Sequence, residues 1–200
     1  MSMTRGCTIL LFLLAPRILL GQDEGRDHDD GFFLRLSAGA GFATTKLSAG
    51  SPSIKLSGET GDLNFAIGGI VSPNLALHAT LYGWLVQDPD VEVSGVSSKV
   101  SEDLDLSAFG LGLTYYFMPV NIYVSGSAGL GKLSVKGQGN VGETKQGPVF
   151  DLTAGKEWWV GSNWGLGVAA TTMWFSVPEN GVDGHWNGAS FAIRFTATLN

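Results

Sequence analysis

The segment Gly31–Phe42, "GFFLRLSAGAGF", alternates residue by residue. Phe32, Leu34, Leu36, Ala38, Ala40 and Phe42 share one parity, and Phe33, Arg35, Ser37, Gly39 and Gly41 share the other. Successive strand residues point to opposite faces, so this is a strand with one oily face and one face of mostly small and polar side chains. Which of the two faces water decides the fold.

The same period of two recurs down the chain, in segments of about ten residues, the length of a membrane-crossing strand. Leu63, Phe65, Ile67 and Val71 alternate with Asp62, Asn64, Ala66 and Gly68, and Leu77, Ala79, Leu81 and Leu85 with His78, Thr80, Tyr82 and Trp84. Phe109, Leu111, Leu113, Tyr115 and Phe117 alternate with Gly110, Gly112, Thr114 and Tyr116. Further repeats run from Ile122, Phe150, Trp164 and Phe191, about eight strands altogether. Leu104 and Leu106 have the other parity from Phe109, which predicts a bulge near Ala108. Tight connections with Pro, Gly or Asn (Ser72–Asn74, Met118–Asn121, Gly161–Asn163) alternate with long polar ones (Ala43–Gly61, Gln87–Asp103, Lys136–Gly147, Ser176–His185). One end of the sheet therefore carries the tight turns and both termini, and the other carries the long loops.

The polar faces are mostly Gly, Ala, Ser, Thr and Tyr, with single charges at Arg35, Asp151, Glu157 and Arg194. That is too poor in Lys and Glu for a solvated surface. It suits the crowded interior of an eight-stranded barrel. The oily faces then meet lipid, and a sheet in lipid must close on itself. Aromatic residues at strand ends (Phe32, Tyr115, Phe117, Trp158, Trp164 and Phe195 at the tight-turn end, Phe42 and Trp174 at the loop end) fit interfacial girdles. The reading is an all-β, antiparallel, up-and-down transmembrane barrel over residues 31–200.

Residues 1–21 read as a cleaved secretory signal, with Arg5 before the apolar run Ile9–Ala15 and Gly21 near the cleavage point. The acidic stretch Gln22–Asp30, "QDEGRDHDD", reads as a solvated spacer. The single cysteine, Cys7, lies in the signal, so no disulfide, thiol or cysteine-metal chemistry is expected in the mature protein. A net charge of −6 argues against nucleic acid as a partner.

On these features the chain resembles the small eight-stranded outer-membrane barrels of Gram-negative bacteria, the OmpA/OmpX type. In its final strand, "WNGASFAI", Gly188, Phe191 and Ile193 stand at the spacing of that family's barrel-assembly signal, although the chain ends Leu199-Asn200, with its last aromatic at Phe195. The resemblance implies an outer-membrane location and a structural or surface-interaction role with a closed or nearly closed lumen. Implied partners are outer-membrane lipid, lipopolysaccharide and the barrel-assembly machinery; the expected state is a monomer without cofactor, resident metal or enzymatic activity.

Two other classes of barrel offer alternatives. OmpW-type barrels suggest binding or passage of a small hydrophobic molecule, but Tyr82, Trp84, Tyr116 and Tyr123 fill much of so narrow a lumen. Barrel enzymes suggest two constellations. "HAT", His78 with Thr80, is similar to the His-x-Ser of lipid A deacylases, but its parity points inward and reads as interior hydrogen bonding. Asp88 and Asp90, with Asp183 and His185, are similar to the acidic and Asp-His couples of omptin proteases, which activate a water.

Two charge clusters complete the expectations. Asp88, Asp90, Glu92, Glu102, Asp103 and Asp105 bracket the second long loop, where hard oxygen ligands can share divalent cations with lipopolysaccharide. Arg35 and Arg194 lie inward on the first and last strands, which are neighbours in a closed barrel. Side by side they would repel, so a carboxylate bridging the two guanidinium groups is expected, with Glu157 within reach of Arg35 or Arg194 and Asp151 as second choice.

Overall fold

The structure is a computed structural model and describes residues 27–29, 31–48, 54–137, 140–181 and 183–200. The expected signal, residues 1–21, and most of the spacer lie outside the described residues. In chain order the strands are β1 (Phe32–Ser48), β2 (Ile54–Ser72), β3 (Leu75–Gln87), β4 (Asp90–Val93), β5 (Val96–Lys99), β6 (Asp103–Phe117), β7 (Ile122–Gly137), β8 (Asn140–Glu143), β9 (Gly147–Trp159), β10 (Trp164–Pro178) and β11 (His185–Leu199). The short strands β4, β5 and β8 extend the loop end; the other eight form the barrel. Each barrel strand pairs antiparallel with the next, and β1 pairs also with β11, from Leu34–Leu199 to Ser48–His185, which closes the sheet. At the tight turns Asn74 and Asn121 take positive φ (63° and 51°), a conformation asparagine tolerates because its amide can bond locally. The β4–β5 hairpin turns on Ser94 and Gly95, both at positive φ (53° and 82°), which matches the twist of the flanking strands.

Alternation fixes the two faces. Leu36, Phe42, Leu63, Leu81, Leu111 and Phe195 stand on the outside, Phe195 73% exposed. Their inward neighbours, among them Phe33, Arg35, Tyr116, Tyr123 and Arg194, are buried. On β1 the apolar belt runs from Phe32 to Phe42, about 11 residues, enough to cross the hydrocarbon. Beyond Phe42 the chemistry reverses. Thr44, Lys46, Lys55, Glu59, Lys132 and Lys136 now lie outside, while Ala43, Leu56, Leu104, Leu106 and Leu133 lie inside. The strands thus continue past the lipid as a water-soluble barrel with an apolar core.

That reversal corrects two sequence readings. The expected bulge near Ala108 does not occur: β6 stays in unbroken register with β3 and β7 from Asp103 to Tyr115. Leu104, Leu106 and Ala108 all point inward. The period held and the surrounding medium changed, so the oily parity switched sides without a backbone irregularity. The register shift on this side of the barrel is instead between Ile70 and Ser72 on β2. The long loops are also shorter than expected, because strands invade them; β1 runs to Ser48 and β2 begins at Ile54, both inside the expected Ala43–Gly61 loop.

Candidate functional site

The lumen has two layers. At the tight-turn end it is polar and holds two ion-pair clusters. Arg35 Nε lies 3.5 Å from Glu157 Oε1. Its guanidinium donates to Tyr116 Oη (2.6 Å) and Thr198 Oγ1 (3.2 Å) and lies 3.9 Å above the Tyr123 ring. Glu157 also accepts from Thr198 (2.6 Å), Thr196 (3.3 Å) and Tyr116 (3.3 Å). A carboxylate and a guanidinium with so many charge-assisted partners can both stay charged while nearly fully buried.

Arg194 forms the second cluster. Nη2 donates to Asp151 Oδ2 (2.8 Å), Nη1 to Thr153 Oγ1 (3.2 Å), and Nε to Asp62 Oδ1. The Asp151 carboxylate is further held by the Thr153 and Thr171 hydroxyls, each at 2.9 Å. So no single carboxylate bridges the two arginines. The register explains this: Arg35 faces Thr198 on β11, while Arg194 faces Gly39 on β1. The two residues are staggered by four positions, roughly 13 Å along the strands, and need no common counter-ion. Asp62, which sequence reasoning left out of the network, joins it because Gly39 stands between Arg194 and Asp62 in one cross-strand row. With no side chain on Gly39, Arg194 reaches across β1 to β2. Asp62 has inward parity, but only the register identifies its partner. Glu157 uses the same device, reaching across Gly167 to Thr196. A void lined by Arg35, Ser37, Asn64, His78, Asp151 and Arg194 amounts to about 10 Å³, room for roughly one water.

Above this layer, Tyr82, Trp84, Val86, Leu104, Leu106, Leu133, Met173, Phe175 and Trp186 pack into one apolar cluster across the lumen. Tyr82 keeps its hydroxyl satisfied on the Val149 carbonyl at 2.7 Å. The chemistry expected of the whole interior therefore belongs to its tight-turn half alone.

The tight-turn mouth is capped from outside the barrel. His28 was expected in a solvated spacer, but it is buried, stacked 3.6 Å from the Tyr116 ring and 5.0 Å from Trp159. Its backbone exchanges hydrogen bonds with Asn74, His28 N donating to Oδ1 (3.0 Å) and Asn74 N to the His28 carbonyl (2.7 Å). A leading polar run carries no period to betray such docking.

The other candidate residues do not assemble a reaction centre. His78 points inward, its ring stacked on Phe33 and Nε2 3.1 Å from Thr114 Oγ1, while the Thr80 hydroxyl donates to the Phe65 carbonyl (3.2 Å). Asp90 is on β4 and His185 on β11, with β1 and β2 between them. Three strand spacings are roughly 14 Å, beyond sharing a water. The acidic rim is divided: Asp88 precedes β4, Asp90 and Glu92 lie on β4, Glu102 precedes β6, and Asp103 and Asp105 lie on β6. Asp105 pairs with Lys136 at 2.8 Å and Glu92 with Lys55 at 3.9 Å. Among the described residues no three His, Cys, Asp or Glu side chains converge as a metal site.

No protein-family model and no curated protein matches the chain. Solved structures similar to it include Neisserial surface protein A, 16% identical with a TM-score of 0.57, covering 84% of this chain and 96% of that one. Others are the outer membrane protein OprG from Pseudomonas aeruginosa (14%, TM-score 0.46, 86% and 98%) and Ail, the attachment invasion locus protein of Yersinia pestis (12%, TM-score 0.42, 84% and 99%). A closed eight-stranded sheet, a lipid-facing belt and the likeness to Neisserial surface protein A lead to one conclusion: the chain has the fold of a small eight-stranded transmembrane β-barrel.

Proposed function

We propose that the protein is a closed, monomeric, non-enzymatic barrel that acts through its long-loop rim, in a structural or surface-interaction role, and that β11 delivers it to the barrel-assembly machinery. The observation that carries this reading is the doubly filled lumen: an ion-paired polar layer beneath an apolar core. A path for ions or for a small hydrophobic molecule would have to displace both. Purified protein in planar bilayers is expected to give no steady conductance; a stable open level in the wild type would overturn the reading and favour passage.

In this reading the termini and tight turns face the periplasm and the lipopolysaccharide leaflet surrounds the loop end. Trypsin added to intact cells is then expected to cut at exposed Lys99 in the β4–β5 hairpin. Cutting only after permeabilisation would reverse the orientation. The interior clusters serve as the lower plug. A double-mutant cycle between Arg35 and Glu157 is expected to show coupling of about 0.5–3 kcal/mol, and one between Arg194 and Glu157 coupling near zero. Equal coupling in both pairs would mean one merged network.

A further inference from the structure

Residues 27–29 cross the tight-turn mouth, and His28 contacts two of its turns, two strand ends and the end of the chain. Asn74 comes from the β2–β3 turn, Asn121 from the β6–β7 turn, Tyr116 from β6, Trp159 from the end of β9 and Asn200 from the end of the chain. We propose that residues 27–29 form a proton-releasable cork on this mouth, with His28 as the group whose protonation frees it.

The amides read the neutral ring. His28 Nε2 lies 3.1 Å from Asn121 Oδ1, which can only accept, so Nε2 carries the proton and donates. Nδ1 then faces the Asn200 side-chain amide. A second proton, on Nδ1, places a full charge on a ring buried between two aromatic side chains.

The charged and titratable groups around the ring divide. Asp27 and Asp29 flank it on its own segment; Arg35 reaches it from β1, Tyr116 from β6 and Glu157 from β9. Burial is the dominant effect and holds the imidazole below the usual histidine range; the Asn121 hydrogen bond and Glu157 oppose it, Arg35 reinforces it and Asp27 opposes it. A histidine with a depressed folded pKa keeps its full docking contribution above the free value of 6.5, and loses it as pH falls below 6.5 toward the docked value. Release leaves the barrel intact, because the cork adds no strand to the closed sheet.

The test uses the folded protein carrying Cys7→Ser and Asp29→Cys, with a nitroxide on the exposed position 29. The label is expected to be immobilised at about pH 8 and mobile at about pH 5. Its midpoint should coincide with the protonation of the His28 imidazole followed by NMR in the same sample. That signal is assigned by its loss in His28→Gln, a variant that should have no mobility transition at whatever mobility it settles. A label mobile at the higher pH, or immobile at the lower, overturns the cork. A transition that survives His28→Gln, or that departs from the His28 titration, overturns the role of His28.

Discussion

Replacing Arg194 by Met will destabilise the barrel by about 3–5 kcal/mol, the range for removing one member of a buried ionic cluster. The side chain is 2% exposed and the common partner of Asp62 and Asp151. Its loss strands two carboxylates in a lumen with room for roughly one water, and their mutual repulsion adds to the cost of burial. Heat-modifiable electrophoretic mobility or urea unfolding in lipid vesicles reads the change. Adding Asp62→Asn and Asp151→Asn to Arg194→Met should recover most of the loss, because the stranded charges disappear with it. If Arg194→Met is as stable as the wild type, the cluster is hydrated and the ion pairs contribute little.

Gly39→Val will be the most damaging of the single glycine substitutions along β1, and damaging for two separable reasons. A Cβ at this position runs into the Ile193 carbonyl and the Arg194 Cα on β11, across the seam that closes the barrel. Overpacking of this kind costs about 1–3 kcal/mol. The added methyls also fill the space through which Arg194 reaches Asp62, leaving a buried carboxylate short of its partner. Gly39→Ala should show the collision with less of the blockade. Gly126→Ala is the matched control, since a Cβ there meets nothing within 4 Å. The folded fraction after refolding into detergent ranks the three. Equal yields for Gly39→Val and Gly126→Ala would mean that the seam yields easily.

Much of the barrel was legible in the sequence because a strand has only two faces. Once Phe32 to Phe42 alternate and the opposite parity is too poor in charge to be a solvated surface, lipid must lie on the oily side. A sheet in lipid has no stable form except a closed one. The turns were legible because positive φ at Asn74 and Asn121 needs particular residues. Inward parity likewise marked Arg35, Asp151, Glu157 and Arg194 as interior.

Parity fixes a face but not a height, and height decided the rest. Leu104 and Leu106 were misread as the far side of a bulge, because sequence does not mark where along a strand lipid gives way to water. Arg35 and Arg194 were expected side by side, yet the β1–β11 register staggers them and gives each its own carboxylates. Asp62 became a partner of Arg194 only through the glycine between them, and His28 became a cork only because two turns, two strand ends and the end of the chain meet around it. The sequence by itself determined which residues face lipid and which face inward, since that follows from local geometry of period two. The tertiary structure alone decided which inward residues meet, since that depends on the stagger between strands far apart in the chain, which no local pattern encodes.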